Sequence, residues 1–109
     1  MNDKTILVET FGNSPIIRII DFFIDNPLSD YSKEELIKHL GISKITFYKY
    51  FAILESNGVV EVIRKVGKAK MYKLNEKSDV VKKIKELVWV LGIKATEKSI
   101  QKEIPIALR

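Results

Sequence analysis

Lys44, Ile45, Thr46, Tyr48 and Lys49 follow directly on Ser43 and a glycine at position 41. Two ammonium groups, two hydroxyls of different kinds and one apolar side chain make a surface with defined chemistry. It can hydrogen-bond a base edge, touch a thymine methyl and neutralise phosphates. Ser43 and the free amides behind it can hold a further phosphate. A second cluster, Arg64, Lys65, Lys68 and Lys70, surrounds Gly67. Its side chains suit phosphate contact, with Arg64 or Lys68 reaching a minor groove. This is binding chemistry. Asp79, Glu86 and the acidic residues of 21–35 form no catalytic pair, and there is no Gly-rich phosphate loop or nucleophile motif, so an enzyme is not expected. His39, the single histidine, lacks acidic or cysteine partners at ligand spacing, so no metal or cofactor is expected and it reads as a surface residue or phosphate donor.

The flanking sequence supplies the elements that would position these groups. Ser32 with Glu35 makes a capping box for a helix burying Leu36, Leu40 and Ile37. Gly41 takes a tight turn. Ser43 caps a second helix running to about Ser56, with Phe47, Phe51 and Leu54 inward and the cationic side chains outward. Asn57-Gly58 stops it. Val59 to Lys65 reads as a β-branched, alternating strand, Gly67-Lys68 as a hairpin tip, and Ala69 to Leu74 as the returning strand with Tyr72 and Leu74 on the core. Upstream, Ser14-Pro15 starts a helix to about Asp25 that buries Ile16, Ile19, Ile20 and Phe23, widened by Ile17 and Phe22. Asn26-Pro27 ends it, and Leu28 to Tyr31 is a loop. Thr5 to Phe11 is a strand or a short helix, because a brief apolar run does not separate the two. A last helix is expected from Asp79 to about Gly92, followed by a basic tail that frays.

The charge follows the same plan. The net charge is +5, but residues 1–40 carry four basic and seven acidic side chains (−3), residues 41–75 seven and two (+5), and residues 76–109 eight and five (+3). Cation concentrated on the second helix and the hairpin favours a polyanionic partner. The competing explanations are a generally lysine-rich surface, or lysines guarding a sheet edge. The 109 residues suit one domain, no apolar run approaches a membrane span, and the N-terminus lacks a secretory layout. With no cysteine, the expected location is the cytoplasm. The Ile- and Lys-rich, Cys-free composition hints at an archaeal or thermophilic source.

Glu35-Leu36, Leu40-Gly41-Ile42-Ser43, Thr46-Phe47, Tyr50-Phe51, Leu54, Gly58-Val59-Val60 and Tyr72-x-Leu74 together resemble the winged helix-turn-helix proteins, especially MarR/ArsR-type transcription regulators. The one departure is Ile37, where that family usually places alanine. The resemblance implies a mainly α fold with a β-hairpin wing (α+β). It also implies double-stranded DNA as partner and dimerisation through helices outside the helix-turn-helix. The expected layout is an N-terminal arm or dimer segment (1–14), a winged domain (15–75), a dimerisation helix (76–93) and a basic tail (94–109).

The last helix has two readings. Its wide stripe closes the monomer core, or it pairs with a second copy through Val81, Ile84, Leu87, Val88, Trp89 and Leu91, and the second is preferred because so broad an apolar face marks an interface. The favoured function is sequence-specific DNA binding by a homodimeric regulator. Its rivals are a non-specific architectural or replication-linked DNA protein and a winged-helix protein-interaction module.

Overall fold

The computed structural model describes residues 5–103. Within them the order is α1 (Ile6–Phe11), α2 (Pro15–Asp25), α3 (Lys33–Leu40), α4 (Lys44–Ser56), β1 (Val60–Val66), β2 (Ala69–Leu74) and α5 (Asp79–Glu103). Every one of these helices begins on a hydroxyl. The side chains of Thr5, Ser14, Ser32 and Ser43 accept from the backbone N–H groups of Val8, Ile17, Glu35 and Thr46, and Ser78 accepts from Val81. Each oxygen satisfies a donor that has no partner inside its helix. At Ser32 the box is complete, because Glu35 Oε1 accepts from the Ser32 N–H at 3.0 Å.

Helix endings are equally local in origin. α3 stops where Gly41 turns left-handed (φ 62°). α4 ends in a Schellman motif: Val59 N–H reaches Leu54 C=O at 3.0 Å, Gly58 N–H reaches Glu55 C=O at 3.1 Å, and Gly58 sits at φ 72°. Both glycines adopt a conformation that a Cβ would disfavour.

One hydrophobic core joins the pieces. Ile19 and Phe23 of α2, Leu36 and Leu40 of α3, Phe47, Phe51 and Leu54 of α4, Val60, Tyr72 and Leu74 of the hairpin, and Val81 of α5 are buried together. Phe47 stacks on Phe51 with centroids 4.9 Å apart, and Phe51 meets Tyr72 edge-on, also at 4.9 Å. Such aromatic pairs contribute beyond their buried area and fix the roll of α4. Arg18 of α2 donates to the Leu40 carbonyl and so anchors the C-terminal end of α3.

The structure settles the ambiguous first segment as a helix, α1, packed on α2 and α5 with Leu7 buried. Four features differ from the sequence reading. α5 does not stop near Gly92 but continues to Glu103; residues 104–109 of the expected tail, like 1–4 of the expected arm, lie outside the described residues. Tyr31, expected in a loop, forms a β-bridge with Tyr72, its N–H and C=O bonding at 2.9 and 2.8 Å. β1 does not alternate: every residue after Val60 is exposed, because the hairpin projects past the core. Finally, the β1–β2 register shifts between Val62 and Arg64, and the adjacent residues Met71 and Tyr72 are both buried.

Candidate nucleic-acid interface

α4 carries its functional face because its other face is locked. With Phe47, Phe51 and Leu54 at most 3% exposed, the rotation of the helix is fixed. Lys44, Ile45, Tyr48 and Lys49 then face solvent, Ile45 at 86% exposure and Tyr48 at 39%. At that exposure Ile45 adds little to the core. Ser43 and Thr46 behave differently from the rest of the set. Ser43 Oγ accepts from the Thr46 N–H at 3.3 Å and donates to Thr46 Oγ1 at 2.9 Å. Both hydroxyls are thus built into the N-terminal cap, and Thr46 is half-buried.

The cations are not loose. Lys44 Nζ lies 5.8 Å from the Tyr48 ring centre and Lys49 Nζ 5.4 Å from that of Tyr50. Lys33, the first residue of α3, lies 5.2 Å from Tyr48, 5.6 Å from Phe51 and 5.5 Å from Tyr72. Ring faces attract cations, and these contacts gather Lys33 and Lys44 at Tyr48 while Lys49 rests on Tyr50. Lys33 also lines an open cleft of about 620 Å³ with Tyr48 of α4 and Lys68 and Lys70 of the wing. Sequence reasoning missed Lys33. The signal was present, since a lysine in the first turn of a helix opposes the helix dipole, where acids are favoured.

On the wing, Lys65, Lys68 and Lys70 are exposed, and Lys65 stands directly opposite Lys70 in the ladder. Like charges facing across strands are destabilising, and an anion between or above them would relieve that repulsion. Arg64 departs from the expected role. Its guanidinium forms a two-bond ion pair with Asp30, Nε–Oδ2 at 2.6 Å and Nη2–Oδ1 at 3.1 Å. Arg64 holds the Asp30 carboxyl below its ordinary value, and Asp30 raises Arg64 in turn. The three lysines hold no ion pair among the described residues, whereas Arg64 holds one while its side chain stays 58% exposed. Asp30 escaped the sequence reading because nothing local links it to Arg64, 34 positions later.

The expected dimer face divides along α5. Val81 is corrected: it is wholly buried in the protomer's own core and leaves no surface for a partner. Ile84, Val88 and Leu91 are half-buried, while Leu87 and Trp89 are exposed, Trp89 at 71%. Ile24, Val88, Trp89, Gly92, Ile93 and Thr96 line an open apolar groove of about 560 Å³. His39 packs its ring against Phe22 and Tyr31 at 5.6 and 5.9 Å, and no metal-binding cluster exists among the described residues. No described helix is long and apolar enough to cross a membrane.

No protein-family model matches the sequence, and no curated protein is significantly similar to it. Similarity is found instead among solved structures. Reduced HlyU from Vibrio cholerae N16961 is similar at 27% identity and TM-score 0.55, over 79% of this chain and 84% of its own. Rv0081 from M. tuberculosis is similar at 18% identity and TM-score 0.58, over 86% and 89%. The transcriptional repressor BigR from Xylella fastidiosa is similar at 19% identity and TM-score 0.54, over 91% and 86%. The fold is the winged helix-turn-helix, α+β, with α3 and α4 as the helix pair and the β1–β2 hairpin as the wing.

Proposed function

We propose that this protein is a cytoplasmic, homodimeric transcription regulator of MarR/ArsR type that binds double-stranded DNA sequence-specifically. α4 enters the major groove, where Lys44, Ile45, Tyr48 and Lys49 meet base edges and backbone. Ser43 and Thr46 present the N-terminal cap to a phosphate. Lys65, Lys68 and Lys70 of the wing hold the adjacent backbone, and Lys33 joins them across the cleft. The observation that carries this reading is the cleft that Lys33 and Tyr48 share with Lys68 and Lys70 of the wing, beside the exposed Lys44 that rests on Tyr48. BigR, a transcriptional repressor, shares this fold and supports the regulatory role.

The dimer follows from the apolar side of α5. Trp89, Val90 and Ile93 are each more than 40% exposed on one side of the helix, and a second copy of the same helix would cover them. A two-fold pair presents two recognition helices roughly 34 Å apart and reads a palindromic site.

The test is a fluorescence-anisotropy titration with a duplex from upstream of the protein's own gene and a scrambled duplex, each at low and moderate salt. Preference for the native duplex that survives competitor supports a sequence-specific regulator. Equal, steeply salt-dependent binding to both supports the architectural alternative. No binding to either removes DNA as the partner and leaves the protein-interaction module.

A further inference from the structure

Among the described residues, Arg64 is the wing cation that already holds an anionic partner. The pair is bidentate, with a carboxylate only 15% exposed and a guanidinium 58% exposed. This fork-on-fork geometry fixes orientation as well as distance. Asp30 immediately precedes Tyr31, whose two backbone bonds to Tyr72 fasten the same loop to β2. The strand register shifts directly before Arg64. Three devices thus meet in the middle of the wing ladder.

An ion pair this open contributes little to global stability. A two-stranded ribbon, however, is marginal by itself, and β1 beyond Val60 buries no side chain. A small local contribution therefore acts on the angle of the wing rather than on folding. Arg64 is also the strongest sequence-blind phosphate ligand available to the hairpin, because its fork matches phosphate as well as carboxylate.

We propose that Asp30 is a positioning residue for the wing: it occupies Arg64, sets the angle at which Lys65, Lys68 and Lys70 approach DNA, and withholds Arg64 from indiscriminate phosphate contact. This rests on the DNA reading above. Asp30 thereby favours specific over non-specific binding while making no DNA contact.

The latch is tested first on the free protein, by amide hydrogen exchange. Asp30→Asn and Arg64→Gln should each speed exchange of the Tyr31, Tyr72 and wing amides by about 2- to 5-fold, the range of an exposed pair. The Phe51 amide should not change. Unchanged wing exchange in both variants overturns the latch, whatever DNA does. The second readout is binding to a scrambled duplex at low salt. Asp30→Asn should bind more tightly, with a salt slope steeper by roughly 0.9 for the one cation released. That gain should vanish in the Asp30→Asn/Arg64→Gln double variant. A gain that persists there reflects only the removal of a repulsive charge and overturns the withholding role. If the native protein binds no duplex at all, the DNA reading and the specificity half of the proposal fall together, and the exchange data still decide the latch.

Discussion

α4 and α5 both leave large side chains in solvent, with opposite chemistry. The open face of α4 mixes lysines, a tyrosine and one isoleucine, and its cations rest on rings. The open face of α5 carries Trp89, Val90 and Ile93 beside an apolar groove, and Leu87 is exposed on the other flank. Each helix is anchored by buried residues, Phe47 and Phe51 in one and Val81 in the other, so neither can rotate to hide its exposed face. A fixed, polar and cationic face suits a hydrated polyanion. A fixed apolar face suits another apolar face. On the function proposed above, the two helices divide the work into recognition and assembly.

The sharpest break in this comparison is Phe51→Ala against Trp89→Ala. The first empties the core and should cost about 3–5 kcal/mol in denaturant unfolding. The second removes an exposed ring and should leave the monomer within about 0.5 kcal/mol of the native protein. A comparable loss for both that does not depend on protein concentration would mean that α5 is stabilised within the protomer, not by a second copy. Next, Leu87→Lys with Trp89→Lys should convert the dimer to monomer in sedimentation velocity without loss of helical signal. It should also weaken binding to a palindromic duplex more than to a half-site. Lys44→Ala should cost about 1–3 kcal/mol of discrimination between the native and a mutated site while barely altering affinity for scrambled DNA.

Smaller effects sharpen the account. Lys65→Ala relieves its opposition to Lys70 and should stabilise the free protein by a few tenths of a kcal/mol, yet reduce the salt slope of DNA binding by roughly 0.9. Stability and affinity moving in opposite directions is the signature of a residue kept for a ligand. Asp21 gives a pH test remote from both faces. Burial raises its carboxyl above the ordinary 3.8, opposed by a hydrogen bond from Thr5 and assisted by Asp25. The folded state thus holds that proton more tightly than the unfolded chain, and stability falls as pH rises from 3.8 through the raised value. In thermal unfolding, Asp21→Asn should therefore stabilise the protein slightly at pH 7, by about 0.5 kcal/mol at most, and leave it unchanged near pH 3.

The readable parts of this protein are those determined within a few residues. Ser32 and Glu35 announce a helix start, Gly41 and Gly58 announce two ends, and the four- and three-residue spacing of Phe47, Phe51 and Leu54 orients α4. The outward set of α4 follows from that orientation. What escapes is long-range or needs length. The Tyr31–Tyr72 bridge and the Asp30–Arg64 pair join positions with no shared periodicity. Gly92 reads as a stop, but it lies within α5, where a mid-helix glycine costs only about 1 kcal/mol and the helix runs on. Val81 shares a stripe with Leu87 and Val88 and so reads as part of one interface; only the packing of α5 on the core separates its buried first turn from the open turns that follow.

The division of labour between the two helices can be tested in one experiment, amide chemical-shift mapping on the 109-residue protein as duplex DNA is added at low salt. The account predicts shifts at residues 43–49, at Lys33 and at residues 65–70, with Ile24 and the 88–96 stretch of α5 undisturbed. Shifts concentrated on α5, with α4 and the wing silent, would contradict it.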